Sequence, residues 1–505
     1  MNDSYWLKSV PETTYPKLKQ NQAADTVIIG AGITGLTTAY YISKDHSDVI
    51  LLEADKIAYG ASGRSTGKLS SQHGLLYHQL SEQKGREFAK AYYTAQEEAI
   101  DSVEEIVQSY QIDCQFRRLD SVVYTADEQK KAAVQDEFQA CLDLGIDCEY
   151  ICESEYPITL KAGIRFHQQA QFHPIKYLHA LASIVNEAGI AIYEHTPVTA
   201  MEEQGDVILI KAGGYEVTAK HVVFATQFPF LDKSQFYFTK LINEQSELMM
   251  ARYDEPLPDE QIISCDDQLD SYRTYRYMDD TYLLAGGHKH PVGRFDQGHL
   301  EDFFMRNRSR FHLGKHFQHW SSQDYMTADH IAVIGPLKKD NDRILFASGY
   351  QKWGNATGTI AGKLLCAYVL NHESQYKDMF DPHRRELIFS PTFIKDNWET
   401  VKALVKSKLT SGAYKLPKAG EGTPMEIDEH MYGVYTDHEH LVHIVDITCP
   451  HMGCTCVFNP LDKTWDCPCH GSRFDIDGNI IKGPASKPLH AYGEGRNHID
   501  PHIIK

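Results

Sequence analysis

The sequence predicts an α/β protein that continues into a small all-β domain. A strand–helix–strand pattern opens the chain, with apolar residues at 25–29, a helical pattern at 36–43 and a second apolar run at 49–52. Beyond residue 424, short β segments alternate with turns rich in Gly, Pro and Asp. The chain has 505 residues, so at about 150 residues per domain we expect about three structural units.

The charge balance limits the partners that this protein can have. Asp and Glu total 69 against 50 Lys and Arg, a formal net charge of −19. This excess disfavours binding to nucleic acid, so we expect small molecules or proteins as partners. No apolar run approaches 18 residues, so we expect no transmembrane segment. The N-terminus has no basic stretch followed by an apolar one, which favours a cytoplasmic protein.

A glycine motif joins the first strand to the first helix. Gly30, Gly32 and Gly35 form G-x-G-x-x-G, and Glu53 follows the second strand 18 residues after Gly35. In such a unit the first glycine allows the turn, the second lets a pyrophosphate approach the backbone, and the third lets the helix pack closely. The carboxylate at the end of the second strand accepts hydrogen bonds from a ribose. NAD and FAD both fit this pattern.

A second loop, GASGRSTGK at residues 60–68, selects between the two dinucleotides. It resembles the second flavin loop of the glycine/D-amino-acid oxidase family of FAD-dependent oxidoreductases. The resemblance implies that Ser62, Gly63 and Arg64 contact FAD. It extends over about residues 22–385 and includes VVFATQFP at 222–229 and FASGYQKWGNATGTIAGKLL at 346–365.

The segment at 346–365 resembles the closing strand, glycine loop and helix of that family, whose helix N-terminus faces the flavin. The resemblance implies that Gly349 and Gly354 belong to the FAD site. Lys352 lies in the same loop, so we expect it to be the catalytic cation that stabilises negative charge on the reduced ring.

The resemblance also predicts the domain division. We expect a leader at 1–21 and a Rossmann-type FAD-binding domain with an inserted antiparallel-sheet substrate domain at 22–385. Within that unit the FAD-binding parts are about 22–80, 150–228 and 327–385, and the substrate domain is about 81–149 and 229–326. A linker at 386–423 and a β domain at 424–505 follow.

Five of the eleven cysteines lie in one stretch of 21 residues within the β domain. Cys449 and His451 form C-x-H, and after fifteen further residues Cys467 and His470 form C-x-x-H. Two Cys and two His at this spacing admit a tetrahedral zinc site or a Rieske [2Fe-2S] cluster.

The flanking residues favour the cluster. Cys454 and Cys469 lie where Rieske proteins of the cytochrome bc type carry a disulfide, and IKGPASKPL at 481–489 resembles the proline loop that covers the cluster in that family. The resemblance implies that Cys449 and Cys467 bind one iron, and that His451 and His470 bind the other with exposed imidazoles. Cys456 is left as a packing residue.

One substitution predicts a low cluster potential. Ser472 matches a serine that donates a hydrogen bond to the cluster in high-potential Rieske proteins, but Phe474 stands where those proteins have a tyrosine. A missing donor disfavours the reduced state, so we expect a value in the lower part of the roughly −150 to +300 mV Rieske range.

Together these features predict an oxidoreductase that acts on C–N bonds. A small amine or amino-acid-like substrate would be the electron donor, and electrons would leave FAD through the cluster to a protein or quinone acceptor. The alternative is an electron-transfer or redox-sensing protein without a small-molecule substrate. An open pocket with a convergent cation favours the enzyme, and a closed aromatic-filled cavity favours the alternative.

Overall fold

The structure, a computed structural model, describes residues 3–46, 48–231, 237–267, 269–277, 280–387, 416–427 and 430–492. Among these residues, no helix is both long enough and apolar enough to cross a membrane. The predicted combination of an α/β unit with an all-β domain is confirmed.

A six-stranded sheet forms the centre of the α/β unit. Its strands at 26–29 and 49–52 are buried along their whole length, as expected for parallel strands covered on both faces. Helices Ile33–Ile42, Pro174–Glu187 and Gly354–Val369 belong to this unit, and the first packs against the other two. The strands follow the order Val333–Lys338, Asn341–Ser348, His221–Phe224, Thr26–Ile29, Val49–Leu52 and Ala191–Tyr193.

A nine-stranded sheet forms the predicted substrate side. Two of its strands, Lys68–Leu69 and Ala162–Gln171, lie in segments that were expected to belong to the FAD-binding part. They pair with each other, and the second also pairs antiparallel with Arg117–Thr125. The expected boundaries at 80 and 150 therefore do not separate the sheets. The remaining strands are Cys148–Ile151, Ile242–Arg252, Glu260–Ser264, Ser271–Tyr277, Asp280–Pro291 and Gln318–Met326.

Helices and a small sheet surround these two layers. Two consecutive helices are separated at Gly85, whose φ of +90° is in the region that glycine favours. The helices on either side are Tyr77–Lys84 and Arg86–Ser109, and two more are Lys131–Asp143 and Gln297–Arg310. Short helical turns are Tyr237–Lys240, Ser62–Arg64, Glu128–Lys130 and Arg385–Leu387. The small sheet contains Gln22–Ala23, Tyr215–Ala219, Val207–Ala212 and Val198–Gln204.

The N-terminal leader is part of the fold. Residues Tyr5–Lys8 form a helical turn in which Trp6 is fully buried. The Trp6 indole N–H donates to the carbonyl of Ser65 at 2.8 Å, and the ring of Tyr5 lies edge-on to Tyr275 of the nine-stranded sheet. The segment therefore fastens the second glycine loop to that sheet.

The C-terminal domain consists of two small antiparallel sheets. One contains Gly422–Ile427, His430–Thr436 and Val442–Asp446, and the other contains Val457–Asn459, Thr464–Asp466, Arg473–Phe474 and Ile480–Lys482. Most of the predicted linker, residues 388–415, lies outside the described residues.

Candidate functional site

The first glycine loop begins where the strand at 26–29 ends. Gly30 has a φ of +102°, and a Cβ atom there would lie 2.7 Å from the carbonyl oxygen of Ala225. A Cβ atom at Gly35 would lie 1.9 Å from the carbonyl oxygen of Gly30, so the helix can approach the loop this closely only with glycine. Gly32 precedes the helix at its N-terminus. The partial positive charge of that helix end therefore faces the loop.

Glu53 lies at the end of the neighbouring strand. Its carboxylate accepts hydrogen bonds from the backbone N–H of Ala31 at 2.8 Å and of Asp55 at 2.9 Å. Burial raises the pKa of Glu53, and these backbone groups oppose the shift. The carboxylate is thus fixed next to the glycine loop.

The second loop packs on the start of the first helix. The hydroxyl of Ser62 accepts a hydrogen bond from the N–H of Ile33 at 3.1 Å. Arg64 is buried and paired with Asp3 at 3.2 Å, and its carbonyl accepts from the Trp320 indole at 2.9 Å. The loop is therefore held by both the FAD-binding part and the nine-stranded sheet.

A single cavity of about 1140 Å³ runs along both loops. Its volume exceeds the roughly 300–1,000 Å³ of ordinary small-ligand pockets, which leaves room for a dinucleotide and a small substrate together. Six of the nine predicted cofactor residues line it: Gly30, Gly32, Glu53, Ser62, Arg64 and Gly354. This lining, with a helix N-terminus beside a carboxylate, fits FAD.

The other three predicted cofactor residues, Gly35, Gly63 and Gly349, do not line this cavity. A Cβ atom at Gly63 would lie 2.3 Å from the Ala58 carbonyl oxygen, and one at Gly349 would lie 2.5 Å from Thr327 Cγ2. These glycines permit close packing behind the cavity wall.

Lys352 lines the cavity but its charge is already balanced. Its Nζ atom lies 2.8 Å from Glu244 Oε2 and 2.9 Å from the hydroxyl of Ser246. Burial raises the pKa of Glu244, but Lys352, together with Lys289 and His290, outweighs burial, so the pKa is lowered overall. This ion pair argues against the expectation that Lys352 supplies an uncompensated positive charge to the flavin. Sequence reasoning could not find it, because 108 residues separate the partners.

The side chain that sequence reasoning missed is Lys68. It belongs to the second glycine loop, lines the cavity, and has its Nζ atom 4.9 Å from the centre of the Trp353 ring. A lysine within a Gly/Ser-rich loop that follows a dinucleotide motif is the sequence signal that could have identified it.

The predicted cluster ligands lie on two tight turns of the C-terminal domain. The N–H of Gly453 donates to the carbonyl of Cys449 at 2.9 Å, and the N–H of Gly471 donates to that of Cys467 at 3.1 Å. The imidazole rings of His451 and His470, one from each turn, have their centres 4.9 Å apart.

The sulfur atoms of three buried cysteines lie within 4.8 Å of one another in this region: Cys449, Cys456 and Cys467. Cys454 and Cys469 form a disulfide that ties the turns together, as predicted. Two thiols and two imidazoles brought together in this way fit the donor set of a Rieske cluster. Cys456 is fully buried, but its contact with the ligand sulfurs was not foreseen.

The cluster turns face in different directions, which corrects the expectation of two exposed imidazoles. His470 is 8% exposed, whereas His451 is half-buried. The carbonyl of Gly471 accepts a hydrogen bond from the Gln323 side-chain amide of the nine-stranded sheet at 3.1 Å. A Cβ atom at Gly471 would lie 2.6 Å from that amide nitrogen, but one at Gly453 would meet nothing within 4 Å. The turn at 467–472 is therefore docked on the α/β unit.

The C-terminal domain also closes one side of the cavity. Residues from 479 to 488 contribute to its lining. Lys482 of this segment donates to the side-chain oxygen of Gln227 at 2.7 Å and to the carbonyl of Gln323 at 3.1 Å. Burial lowers the pKa of Lys482 to about 7, and Asp324 opposes that shift. One domain thus supplies part of the wall of the other domain's binding site.

Comparison with known proteins gives the family of each part. Residues 25–368 match the family described as FAD dependent oxidoreductase, and residues 411–493 match the Rieske [2Fe-2S] domain. The "Putative Rieske 2Fe-2S iron-sulfur protein YhfW" of Bacillus subtilis is 32% identical over 96% of this chain and 97% of its own length.

More distant relatives match the α/β unit. The gamma-glutamylputrescine oxidoreductase of Escherichia coli is 24% identical over 75% of this chain and 91% of its own length. The crystal structure of glycine oxidase from Geobacillus kaustophilus has a TM-score of 0.59 at 17% identity and covers 72% of this chain and 99% of that one. This chain belongs to the FAD-dependent oxidoreductases of the glycine/D-amino-acid oxidase type, and it carries a C-terminal Rieske [2Fe-2S] domain.

Proposed function

We propose that this protein is a dehydrogenase for a small amine or amino-acid-like substrate that sends the electrons through its Rieske cluster to an external protein or quinone acceptor. FAD supplies two-electron oxidation of a C–N bond, and the cluster supplies one-electron transfer. The protein's own residues bind and orient the groups and bring their sites together.

The proposed roles follow the geometry. Gly30, Gly32 and the helix they precede would bind the pyrophosphate of FAD, Glu53 would accept from its ribose, and Ser62, Arg64 and Gly354 would line the rest of the dinucleotide. Cys449 and Cys467 would bind one iron, and His451 and His470 the other.

The observation that carries the proposal is the contact between the two sites. The Gly471 carbonyl of the cluster turn bonds to Gln323, and both Gln323 and residues 479–488 of the Rieske domain line the cavity. A direct contact of this kind gives a short path between the sites. Oxidases of this family can pass electrons directly to oxygen, so an attached and docked cluster supports a dehydrogenase.

The cavity also favours an enzyme over a protein that only transfers electrons. It extends beyond the glycine loops to the nine-stranded sheet, where Ser246, Ile263 and Ser271 line it. Lys68 supplies a cation in this wall. An open pocket with a convergent cation was the feature expected of the enzyme.

Anaerobic mixing with a panel of amines and amino acids tests the proposal. A substrate should bleach the flavin absorbance, and the reduced cluster should then appear by electron paramagnetic resonance within one turnover. A Cys449→Ser variant, which lacks one cluster ligand, should still bleach but should lose electron delivery to an added acceptor. If the wild-type flavin bleached while the cluster stayed oxidised over many turnovers, the proposed relay would be wrong.

A further inference from the structure

We propose that Lys68 binds a negatively charged oxygen when FAD and substrate are in the cavity. Lys68 would then be the cation that makes this part of the cavity specific for an anionic group. The inference rests on the proposed function, since the anion would come from a substrate carboxylate or from the reduced flavin itself. Both sources offer the same chemistry to the ammonium group, and the experiments below separate them.

The first observation is that Lys68 has a buried charge without a counter-charge. Its Nζ atom is buried and has no hydrogen-bond partner among the described residues. The charged neighbour that acts on it is Arg273, another cation, and burial together with this repulsion lowers the pKa of Lys68 to about 7. A buried ammonium without an anion is costly, so an anionic oxygen within reach of Nζ would stabilise it.

The second observation is that the surroundings add positive charge. Arg273 is 3% exposed, and its Nε and Nη1 atoms also lack hydrogen-bond partners in the described structure. The carbonyl of Lys68 accepts from the side chain of Asn355 at 2.9 Å, in the first turn of the helix Gly354–Val369. The N-terminus of that helix carries partial positive charge. Lys68 and a helix end therefore meet in the cavity wall, and Arg273, which does not line the cavity, adds its charge from behind Lys68.

Within the described part of the chain, no carboxylate pairs with Lys68. The Nζ atom of Lys68 lies over the face of Trp353, which stacks on His73 with ring centres 4.6 Å apart. Burial lowers the pKa of His73 to about 3, so this imidazole is neutral. Glu244, a carboxylate that lines the same cavity, is already paired with Lys352 at 2.8 Å.

The indole face holds the ammonium by a cation–π contact and leaves its donors available. The four-carbon side chain is flexible and half-buried at the cavity wall. A small change of rotamer can therefore bring Nζ to an anion in the cavity.

The test compares Lys68→Met, which removes the charge, with Lys68→Arg, which keeps it. Benzoate and its neutral analogue benzamide are titrated into the FAD-loaded protein and followed by the flavin spectrum, and the flavin midpoint potential is measured separately. The matched control is Lys363→Met, which removes a lysine that also lies over an aromatic ring, that of Tyr41, but does not line the cavity.

If the anion comes from a substrate, Lys68→Met weakens benzoate binding about 10- to 100-fold, the loss expected for a hydrogen bond to a charged group. Benzamide binding stays within about twofold, and Lys68→Arg and the control Lys363→Met retain benzoate binding. If the anion is on the reduced flavin, Lys68→Met lowers the flavin midpoint potential and Lys68→Arg restores it, with benzoate binding unchanged. Either result supports the proposal.

The proposal is overturned if Lys68→Met changes neither benzoate binding nor the flavin potential. Thermal unfolding without ligand gives an independent measurement. Because Lys68→Met removes an uncompensated buried charge, the melting temperature should stay the same or rise. A fall in the melting temperature for both Lys68→Met and Lys68→Gln would overturn the proposal. None of these measurements needs a turnover substrate, so a failed substrate screen would count against the proposed function and leave this test intact.

Discussion

A buried ion pair of the Rieske domain lies where that domain meets the α/β unit. Arg473 and Asp462 of the Rieske domain are 0% and 2% exposed, and Arg473 Nη2 lies 2.5 Å from Asp462 Oδ2. The same carboxylate oxygen accepts a hydrogen bond from the hydroxyl of Ser321, on a strand of the nine-stranded sheet, at 2.6 Å. This hydrogen bond crosses between the domains, so its removal should weaken their docking.

The structure sets the size of the effect. Ser321→Ala removes one hydrogen bond to a charged group, worth about 1.5–3 kcal/mol. Asp462→Ala leaves Arg473 buried without this partner, a loss of about 3–5 kcal/mol. Asp466 still holds Arg473 Nε at 3.0 Å, so we expect a value near the lower end, about 3 kcal/mol.

Urea unfolding of the holoprotein measures both variants. Visible circular dichroism reports the cluster, and flavin fluorescence reports the release of FAD. For Ser321→Ala we expect the midpoint of the cluster transition to move to a lower urea concentration. This transition should then separate from the flavin transition, because the two domains no longer unfold together.

Ser322→Ala is the matched control for the cluster transition, since the next residue along the strand points to the opposite face and lines the cavity instead of contacting Asp462. It should change the free energy of unfolding by no more than about 0.5 kcal/mol. The reasoning is refuted if Ser321→Ala unfolds like Ser322→Ala, or if Asp462→Ala costs less than about 1 kcal/mol.

Three further experiments, with four substitutions, test the sites themselves. Phe474→Tyr should raise the cluster midpoint potential by roughly 20–60 mV, the one-electron equivalent of a hydrogen bond of about 0.5–1.5 kcal/mol; a redox titration that finds no rise would contradict the assignment. Glu53→Gln should weaken FAD binding about 10- to 100-fold in fluorescence titrations of the apoprotein, since a charged acceptor becomes neutral; an unchanged dissociation constant would count against its role. Gly471→Asn and Gly453→Asn each introduce asparagine, which tolerates the positive φ of both positions. At Gly471 the new side chain meets the α/β unit, whereas at Gly453 it meets nothing within 4 Å. In anaerobic stopped-flow experiments, reduction of the cluster by the flavin should slow at least tenfold in the first variant and not in the second, and equal rates would refute the docking.

Local motifs made much of the site predictable. The glycines of the first loop and the ligand turns of the Rieske domain act through residues a few positions apart, so spacing alone identifies them. The pairing of Lys352 with Glu244, the burial of His470 and the anchoring of Trp6 depend on contacts between distant segments. Periodicity and spacing carry no information on such contacts, and a single sequence therefore left the charge balance of the cavity undetermined.

The docking also bears on how electrons would leave the protein. One ligand turn, at 467–472, packs on the α/β unit, while the turn at 449–454 has open space at Gly453 and presents Met452 at 51% exposure. Interdomain hydrogen bonds join the Rieske domain to the α/β unit, so if electrons pass from the flavin to the cluster as proposed, they would reach it on its docked side without a domain rotation. On the proposed function, the half-buried His451 is then the ligand closest to an external acceptor.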